Sequence, residues 1–313
     1  MARKATVVPI NTRPPWQDAI QTFLWHKSAQ GTSERTRKDY LSHVERFFNA
    51  FPHAWENQEQ LKRSLWEFMG KECSNNYFNL KREYLGSFMA WCLAQGYIQA
   101  NPLADIRKKK PGSRIVDIDP DTIKQLLKSV NQSTFAGLRD YGILLVQLDT
   151  AARPSEVLSL LPTDISFHTL EITIRESVAK TRTQRILPIS PQTAKAISSI
   201  LAARHPAWSS TVPVFCSADG VPLRSDQWCN RLQAHSRKLA RPITPYQLRH
   251  FSALMFLRSG GNVFGLQRLM GHTDLTMTRK YISLTNNDLR QQHSTASPLN
   301  VLLPQRHRVR KVK

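Results

Sequence analysis

Cysteine is scarce in this sequence and never clustered. Cys73, Cys92, Cys216 and Cys229 are far apart and form no CxxC pair. That spacing argues against a disulfide framework or a structural zinc, and reduced thiols are the expectation. Long apolar runs are also missing. Nothing approaches the roughly 20 residues that span a bilayer, so no membrane partner is expected. The opening stretch MARKATVVPINTRPP has no apolar signal core, which leads us to expect a cytoplasmic chain. There is no GxxxxGK[ST] phosphate loop. Acidic residues are the most telling shortage. Asp and Glu number 23 against 44 Lys and Arg, a net charge of +21 over 313 residues. A chain this basic calls for a polyanion as partner. Nucleic acid, an anionic membrane surface and a ribosome-like assembly are the three readings, and nucleic acid leads. The terminal RHRVRKVK is too short and too β-branched for an amphipathic membrane helix.

The length suits two domains, and turn residues punctuate the chain accordingly. Residues 1–15 read as a flexible basic arm, with Pro9, Pro14 and Pro15 opposing regular structure. Four helices follow, near 16–28, 34–50, 58–69 and 76–95. Ser33 caps the second, and Gly96 stops the fourth. Tyr40, Leu41, Val44, Phe47 and Phe48 form an apolar stripe on the second, with Arg35, Arg37 and Lys38 on its other faces. Leu80, Tyr84, Phe88, Trp91 and Cys92 are the expected inner face of the fourth. Residues 16–106 thus read as a four-helix domain. Residues 107–117 open with RKKKPGSR, read as a solvated basic linker, in which Lys108, Lys109 and Lys110 could also follow a phosphate backbone.

The second domain is expected over 118–296, with a basic tail over 297–313. Asp119-Pro120 starts a helix, and 138–149 reads as a central, strongly apolar one. Arg153 then stands at a helix N-terminus, with Pro154 at the first helical position. From Asp164 to Ile189 the apolar period falls towards two. Three short antiparallel strands are expected, near 165–167, 170–174 and 185–189. Lys180 lies in the second turn. Helices follow near 191–204, 224–238, 251–257, 263–270 and 287–293. The fold class is therefore mainly α with a small three-stranded antiparallel sheet, an α+β chain.

Five residues of this second domain carry chemistry that fits a phosphodiester. Arg153 and Arg249 can clamp nonbridging oxygens with the fixed fork geometry of guanidinium, stabilising a phosphorane-like transition state. Lys180 can give a proton to a leaving 5′ oxygen. His272 can hydrogen-bond the phosphate or assist proton transfer, and Tyr281 can attack. A phenol, with a pKa of about 10, needs nearby cations or a base to ionise. Singly, each residue has a plainer reading: an arginine or lysine as a general phosphate contact, a tyrosine as core. The conjunction carries the inference.

In sequence, Ala152-Arg153-Pro-Ser-Glu156-Val-Leu-Ser-Leu resembles the first-arginine box of the tyrosine recombinases, the phage integrase family that includes the Xer proteins. Leu248-Arg249-His250, Leu269-Met-Gly271-His272 and Tyr281 resemble that family's second box and nucleophile. Ala179-Lys180-Thr-Arg-Thr-Gln-Arg185-Ile-Leu-Pro188 resembles its strand-turn-strand lysine segment. Arg35-Thr36-x-x-x-Tyr40 and Gly96-Tyr-Ile-x-x-Asn101-Pro102 resemble its core-binding domain. The resemblance spans roughly 16–295 and implies a helical core-binding domain followed by a catalytic domain. It implies a site-specific recombinase that needs no metal or other cofactor and passes through a 3′-phosphotyrosyl link. The implied use is integration or excision of a mobile element, or resolution of DNA. The implied partners are a double-stranded DNA site, further copies of the chain (a dimer per site, a tetramer in the synapse) and an accessory recombinase or directionality factor, in a nucleoid-associated setting. A non-catalytic DNA-binding relative and a type IB topoisomerase-like enzyme are the alternatives. Glu156 is expected to orient a neighbouring basic group. Two departures stand out. Tyr246 occupies the position where the family usually carries His, and is kept as a site residue. Ala151 replaces a usual Gly, which implies a helix-like turn there.

Overall fold

A computed structural model describes residues 13–110, 118–237, 239, 242–274, 278, 281, 290, 293–294 and 296–302. The chain divides into two compact units, Met1–Ser113 and Arg114–Lys313. The division falls inside the basic span 107–117.

The first unit consists of helices α1 (Trp16–Ala29), α2 (Glu34–Ala50), α3 (Gln58–Gly70) and α4 (Asn75–Ala94), with a 3-10 turn at Pro52–Trp55. Short polar side chains start three of them. Ser33 accepts from the Thr36 amide, Asn57 from that of Gln60 and Ser74 from that of Tyr77. Aromatic rings fill the core: Phe23, Phe47, Phe48 and Phe88 are almost wholly buried. They meet edge-on and stacked, with Trp16 lying 4.7 Å from Phe48 between ring centroids. On α4 the expected inner face holds at Phe88, Trp91 and Cys92, which are buried, and fails at Leu80, which is 43% exposed; Phe78, Lys81, Leu85 and Met89 are buried as well. Lys81 can occupy that face because its ammonium donates to the Phe68 carbonyl at 3.1 Å.

Residues 107–110 are exposed, as read from their charge, but their backbone is held. Asn79 exchanges two hydrogen bonds with the backbone of Lys109, at 2.7 and 2.9 Å. Asn75 donates to the Lys110 carbonyl at 2.9 Å, and the Lys109 ammonium sits 4.2 Å from the Phe78 ring centroid. The segment is laid along α4, with its charges outward.

The second unit contains α5 (Pro120–Ser129), α6 (Phe135–Thr150), α7 (Pro154–Leu158), α8 (Pro191–Ala202), α9 (Ser225–Ser236), α10 (Pro245–Arg258) and α11 (Val263–Met270). Its sheet has the order β1-β2-β3, all antiparallel, over Ile165–Ser166, Glu171–Ile174 and Arg185–Pro188. Helix α6 is the central element. Ile143, Leu144 and Val146 are buried among aliphatic side chains from the sheet and α8. Gly142 allows α8 close approach: a Cβ there would stand 2.4 Å from Ile200 Cδ1. Gln147 inside α6 accepts from the Trp228 indole at 2.7 Å, and the Leu148 carbonyl accepts from Ser252 at 2.6 Å. These contacts tie α9 and α10 to α6. The expected helix near 287–293 lies almost entirely outside the described residues, as do most of the basic arm and the tail. A turn of helix at Leu299–Leu302 is described.

Candidate active site

The site is built where α6 ends. Ala151 caps that helix in the left-handed region, at φ 52° and ψ 22°. The helix-like turn expected from its side chain is not what forms. Burial decides the matter: Ala151 is 2% exposed, packed with Ala253, Leu257, Leu266, Met270 and Tyr281. The reversal turns the Ala151 carbonyl towards α10, where it accepts from Arg249 Nη1 at 2.6 Å.

Arg153 follows at the N-cap of α7. Its guanidinium donates to Glu156 Oε1 at 3.0 Å and to the Gly271 carbonyl at 3.3 Å, and its amide donates to Glu156 Oε2 at 3.0 Å. Glu156 is fully buried. It also receives Arg185, the first residue of β3, through Nη1 to Oε1 at 3.2 Å and Nη2 to Oε2 at 2.5 Å. Arg185 Nε reaches the Leu269 carbonyl at 3.2 Å. Burial alone would raise the Glu156 pKa. The hydrogen bonds and charges of Arg185 and Arg153 outweigh burial and leave it below the ordinary glutamate value.

Arg249, one turn into α10, is 4% exposed. Besides Ala151 it donates to the Met270 carbonyl at 3.0 Å, and the same Nη2 lies 3.2 Å from His272 Nε2. Burial first, and then the like charge of Arg153, lower its pKa to about 10. It stays a cation at neutral pH. A guanidinium only donates, so His272 Nε2 accepts, and the ring proton sits on Nδ1 and is donated to Thr278 Oγ1 at 2.9 Å. Burial and the charges of Arg249 and Arg153 push the His272 pKa down to about 4, so the ring is neutral. Gly271 makes the corner: its φ is 62°, and a Cβ there would stand 3.1 Å from the Arg185 guanidinium.

Tyr281 is 5% exposed, and its hydroxyl lies 2.6 Å from His250 Nδ1. Burial raises its pKa, and the nearby Arg249 charge opposes the rise without cancelling it. The phenol is therefore protonated at neutral pH.

Arg153, Glu156, Arg249, His272 and Tyr281 thus gather on the elements around α6, α10 and the Gly271 corner. Lys180 is exposed in the turn between β2 and β3 and makes no side-chain hydrogen bond among the described residues. A cleft of about 670 Å³ opens beside that turn, lined by Thr181, Thr183, Arg185, Arg268 and His272. Tyr246 is not brought in: it is 59% exposed. Helical side chains lean towards the helix N-terminus. A residue in the first turn of α10 therefore projects past its end, while Arg249, one turn later, is enclosed. Three features escaped the sequence reading: Arg185 on Glu156, His250 on Tyr281, and the left-handed Ala151. Arg185 had left a signal, since it shares a strand face with buried Leu187.

The six cations singled out for DNA lie on the first unit. Arg35 pairs with Asp39 at 3.5 Å, Lys38 with Glu34 at 2.6 Å and Lys108 with Glu83 at 2.7 Å. Arg37 donates to the Thr32 carbonyl at 2.5 Å. Lys109 covers Phe78, and Lys110 is exposed. Among the described residues no group of three or more His, Cys, Asp and Glu is gathered as metal ligands would be. None of the helices described is long and apolar enough to cross a membrane.

Residues 117–288 match the model of the phage integrase family. A tyrosine recombinase XerC of Alcanivorax borkumensis is 30% identical over 220 residues, 68% of this chain and 71% of that protein. A XerC of Shewanella amazonensis is 28% identical over 289 residues, covering 90% of this chain and 96% of its own length. Among solved structures, a Tn1549 transposon integrase in complex with transposon right end DNA superposes with a TM-score of 0.68 at 18% identity. That match covers 89% of this chain and 99% of the other and is a likeness of fold. The chain belongs to the phage integrase family of tyrosine recombinases.

Proposed function

We propose that the protein cleaves and rejoins DNA strands at a specific site, with Tyr281 as nucleophile. The observation that carries this reading is the enclosure of Tyr281 with Ala151 and Met270, whose carbonyls hold Arg249, beside the Gly271 corner that holds Arg153. Two guanidinium groups fixed by carbonyls and one carboxylate form a rigid cationic seat for one phosphate. Little reorganisation is then needed as charge builds on the nonbridging oxygens. His272, neutral and bonded to Arg249, holds that guanidinium in place. The Tyr281 oxygen attacks phosphorus and the bond to O5′ breaks, with Lys180 on its turn giving O5′ a proton. The 3′-phosphotyrosyl link keeps the bond energy, and the 5′-hydroxyl of a partner strand attacks it to rejoin. No metal or cofactor takes part in these steps.

The cations Arg35, Arg37, Lys38, Lys108, Lys109 and Lys110 belong to the DNA contact in this reading. So does assembly as a dimer on each site and a tetramer when two sites meet, with a mobile element's ends or a chromosomal site as substrate. An accessory recombinase or directionality factor would set direction. The domains keep the limits 16–106 for core binding and 118–296 for catalysis, and the setting is the cytoplasmic nucleoid.

Covalent trapping tests it. A duplex carrying the binding site, nicked beside the cleavage position, is incubated with protein in EDTA. Wild type should become covalently attached to DNA and Tyr281→Phe should not. An adduct that requires Mg²⁺, or that survives the substitution, sinks the proposal. Relaxation of supercoils on DNA without the site would point to a topoisomerase instead.

A further inference from the structure

Resting on the reading of Tyr281 as nucleophile, we propose that His250 takes the proton of the Tyr281 hydroxyl during cleavage and returns it during rejoining. The geometry is direct. His250 Nδ1 lies 2.6 Å from the hydroxyl oxygen, with ring centroids 5.5 Å apart and planes inclined at 42°. With the imidazole proton on Nε2, Nδ1 is an acceptor, as a general base within hydrogen-bond reach must be.

The other groups near the site are taken. His272 uses Nε2 to accept from Arg249 and Nδ1 to donate to Thr278, so its lone pair faces a cation. Both carboxylate oxygens of Glu156 are held by Arg153 and Arg185. Arg153 and Arg249 have no acceptor to offer. Tyr246 stands 59% exposed. Helix α10 explains the division of labour. Consecutive helical residues point about 100° apart, so Arg249 reaches the Ala151 and Met270 carbonyls while His250, the next residue, reaches Tyr281. One turn of helix thus supplies both the phosphate clamp and the proton acceptor. The raised pKa that burial gives Tyr281 makes an acceptor necessary.

The step balances. The Tyr281 O–H bond breaks as the Nδ1–H bond forms on His250. The Tyr281 oxygen bonds phosphorus, the phosphorus–O5′ bond breaks, and O5′ takes a proton from Lys180. One cation is made on His250 and one is lost on Lys180, so the net charge of the site is unchanged. In rejoining, the incoming 5′-hydroxyl gives its proton to Lys180 and the departing phenolate takes one from His250.

The test measures single-turnover adduct formation by the full chain. The substrate is a nicked duplex whose site has been selected from random DNA by binding. His250→Ala and His250→Gln should each slow adduct formation by about 10² to 10⁴-fold, the usual worth of a positioned base, with binding to the same duplex retained. Gln preserves size and a hydrogen bond, so it serves if the alanine variant does not fold. The same variants are then made with a fluorinated, more acidic tyrosine at position 281. A base role requires the defect to shrink at least tenfold, because an acidic phenol needs less help. A defect unchanged by the fluorotyrosine, or a Gln variant at the wild-type rate, would mean that His250 only positions the ring, and overturns the inference. If wild type forms adduct, Tyr281→Phe does not, and both His250 variants stay within threefold of wild type, the inference alone fails. If wild type forms no adduct, the proposed function fails and the inference with it.

Discussion

The two units carry their positive charge in opposite ways. On the first, Arg35, Lys38 and Lys108 stand in water, each beside a single exposed carboxylate. Salt screens such pairs, and either partner can swing away. On the second, the guanidinium groups of Arg249, Arg153 and Arg185 are buried or nearly so, and backbone carbonyls and one carboxylate fix them. The first arrangement suits a partner met anywhere along its backbone. The second suits one phosphate in one position. On the proposed function the same residue types serve affinity in one place and chemistry in the other, and burial makes the difference.

The largest effect should come from emptying the buried seat. Arg249→Ala should lower single-turnover cleavage by about 10³ to 10⁵-fold, the worth of an arginine aimed at phosphoryl charge, while binding to the same duplex changes little. Arg249→Lys should recover only part of that loss, because one ammonium cannot reach both the Ala151 and Met270 carbonyls and still face a phosphate. Rates within tenfold of wild type for the alanine variant would erase the contrast between the units. Glu156→Ala comes next. It leaves two nearly buried guanidinium groups without their carboxylate, and such breaks cost about 3–5 kcal/mol. Urea denaturation should show a loss of that size. Arg35→Ala, by contrast, should leave the urea midpoint unmoved. Its effect should appear in the salt dependence of DNA binding, with the slope of log affinity against log salt reduced by about 0.9 if Arg35 meets a phosphate.

The acid side of the stability curve sharpens the comparison further. His272 titrates at about 4 when folded, against 6.5 as the ordinary value. The unfolded chain therefore binds more protons between those two pH values, and stability rises with pH across that window. Its contribution is complete above about pH 6.5 and is lost as pH falls towards 4. His272→Gln should flatten the melting temperature between pH 6.5 and 4.5.

Much of this architecture could be read from the chain. Ser33, Asn57, Ser74 and Asp119 announce helix starts by chemistry that is local. The change of period over 165–189 announces the sheet. Arg153, Arg249, His272 and Tyr281 stand out by type and order, and the structure places them near one another. What stayed illegible depends on contacts distant in sequence. His250 meets Tyr281 across 31 positions, and α10 is buried around most of its circumference, so its phase cannot say which neighbour a residue faces. Charge alone suggested a solvated span at 107–110. Its side chains are exposed, but charge could not say that two asparagines of α4 bond its backbone.

Ala151 offers the smallest and most diagnostic change. A left-handed conformation costs an L-residue about 1–2 kcal/mol, so Ala151→Gly removes strain of that order. Against this stand the extra freedom of glycine in the unfolded chain, about 0.4–1 kcal/mol, and the lost burial of one methyl, about 0.8 kcal/mol. The terms nearly cancel, and urea denaturation should place Ala151→Gly within about 1 kcal/mol of wild type. Ala151→Val adds a β-branched side chain to the same backbone angle and to a packed site, and should cost more than 2 kcal/mol. A helix-like Ala151 would behave differently. Glycine would then be the harmful change and valine the mild one, because no backbone strain would exist to relieve. The order of the two variants therefore decides whether the end of α6 turns its carbonyl to Arg249 by a strained residue, which is how this chain builds a buried seat where the first unit sets Arg35, Lys38 and Lys108 in solvent-facing pairs.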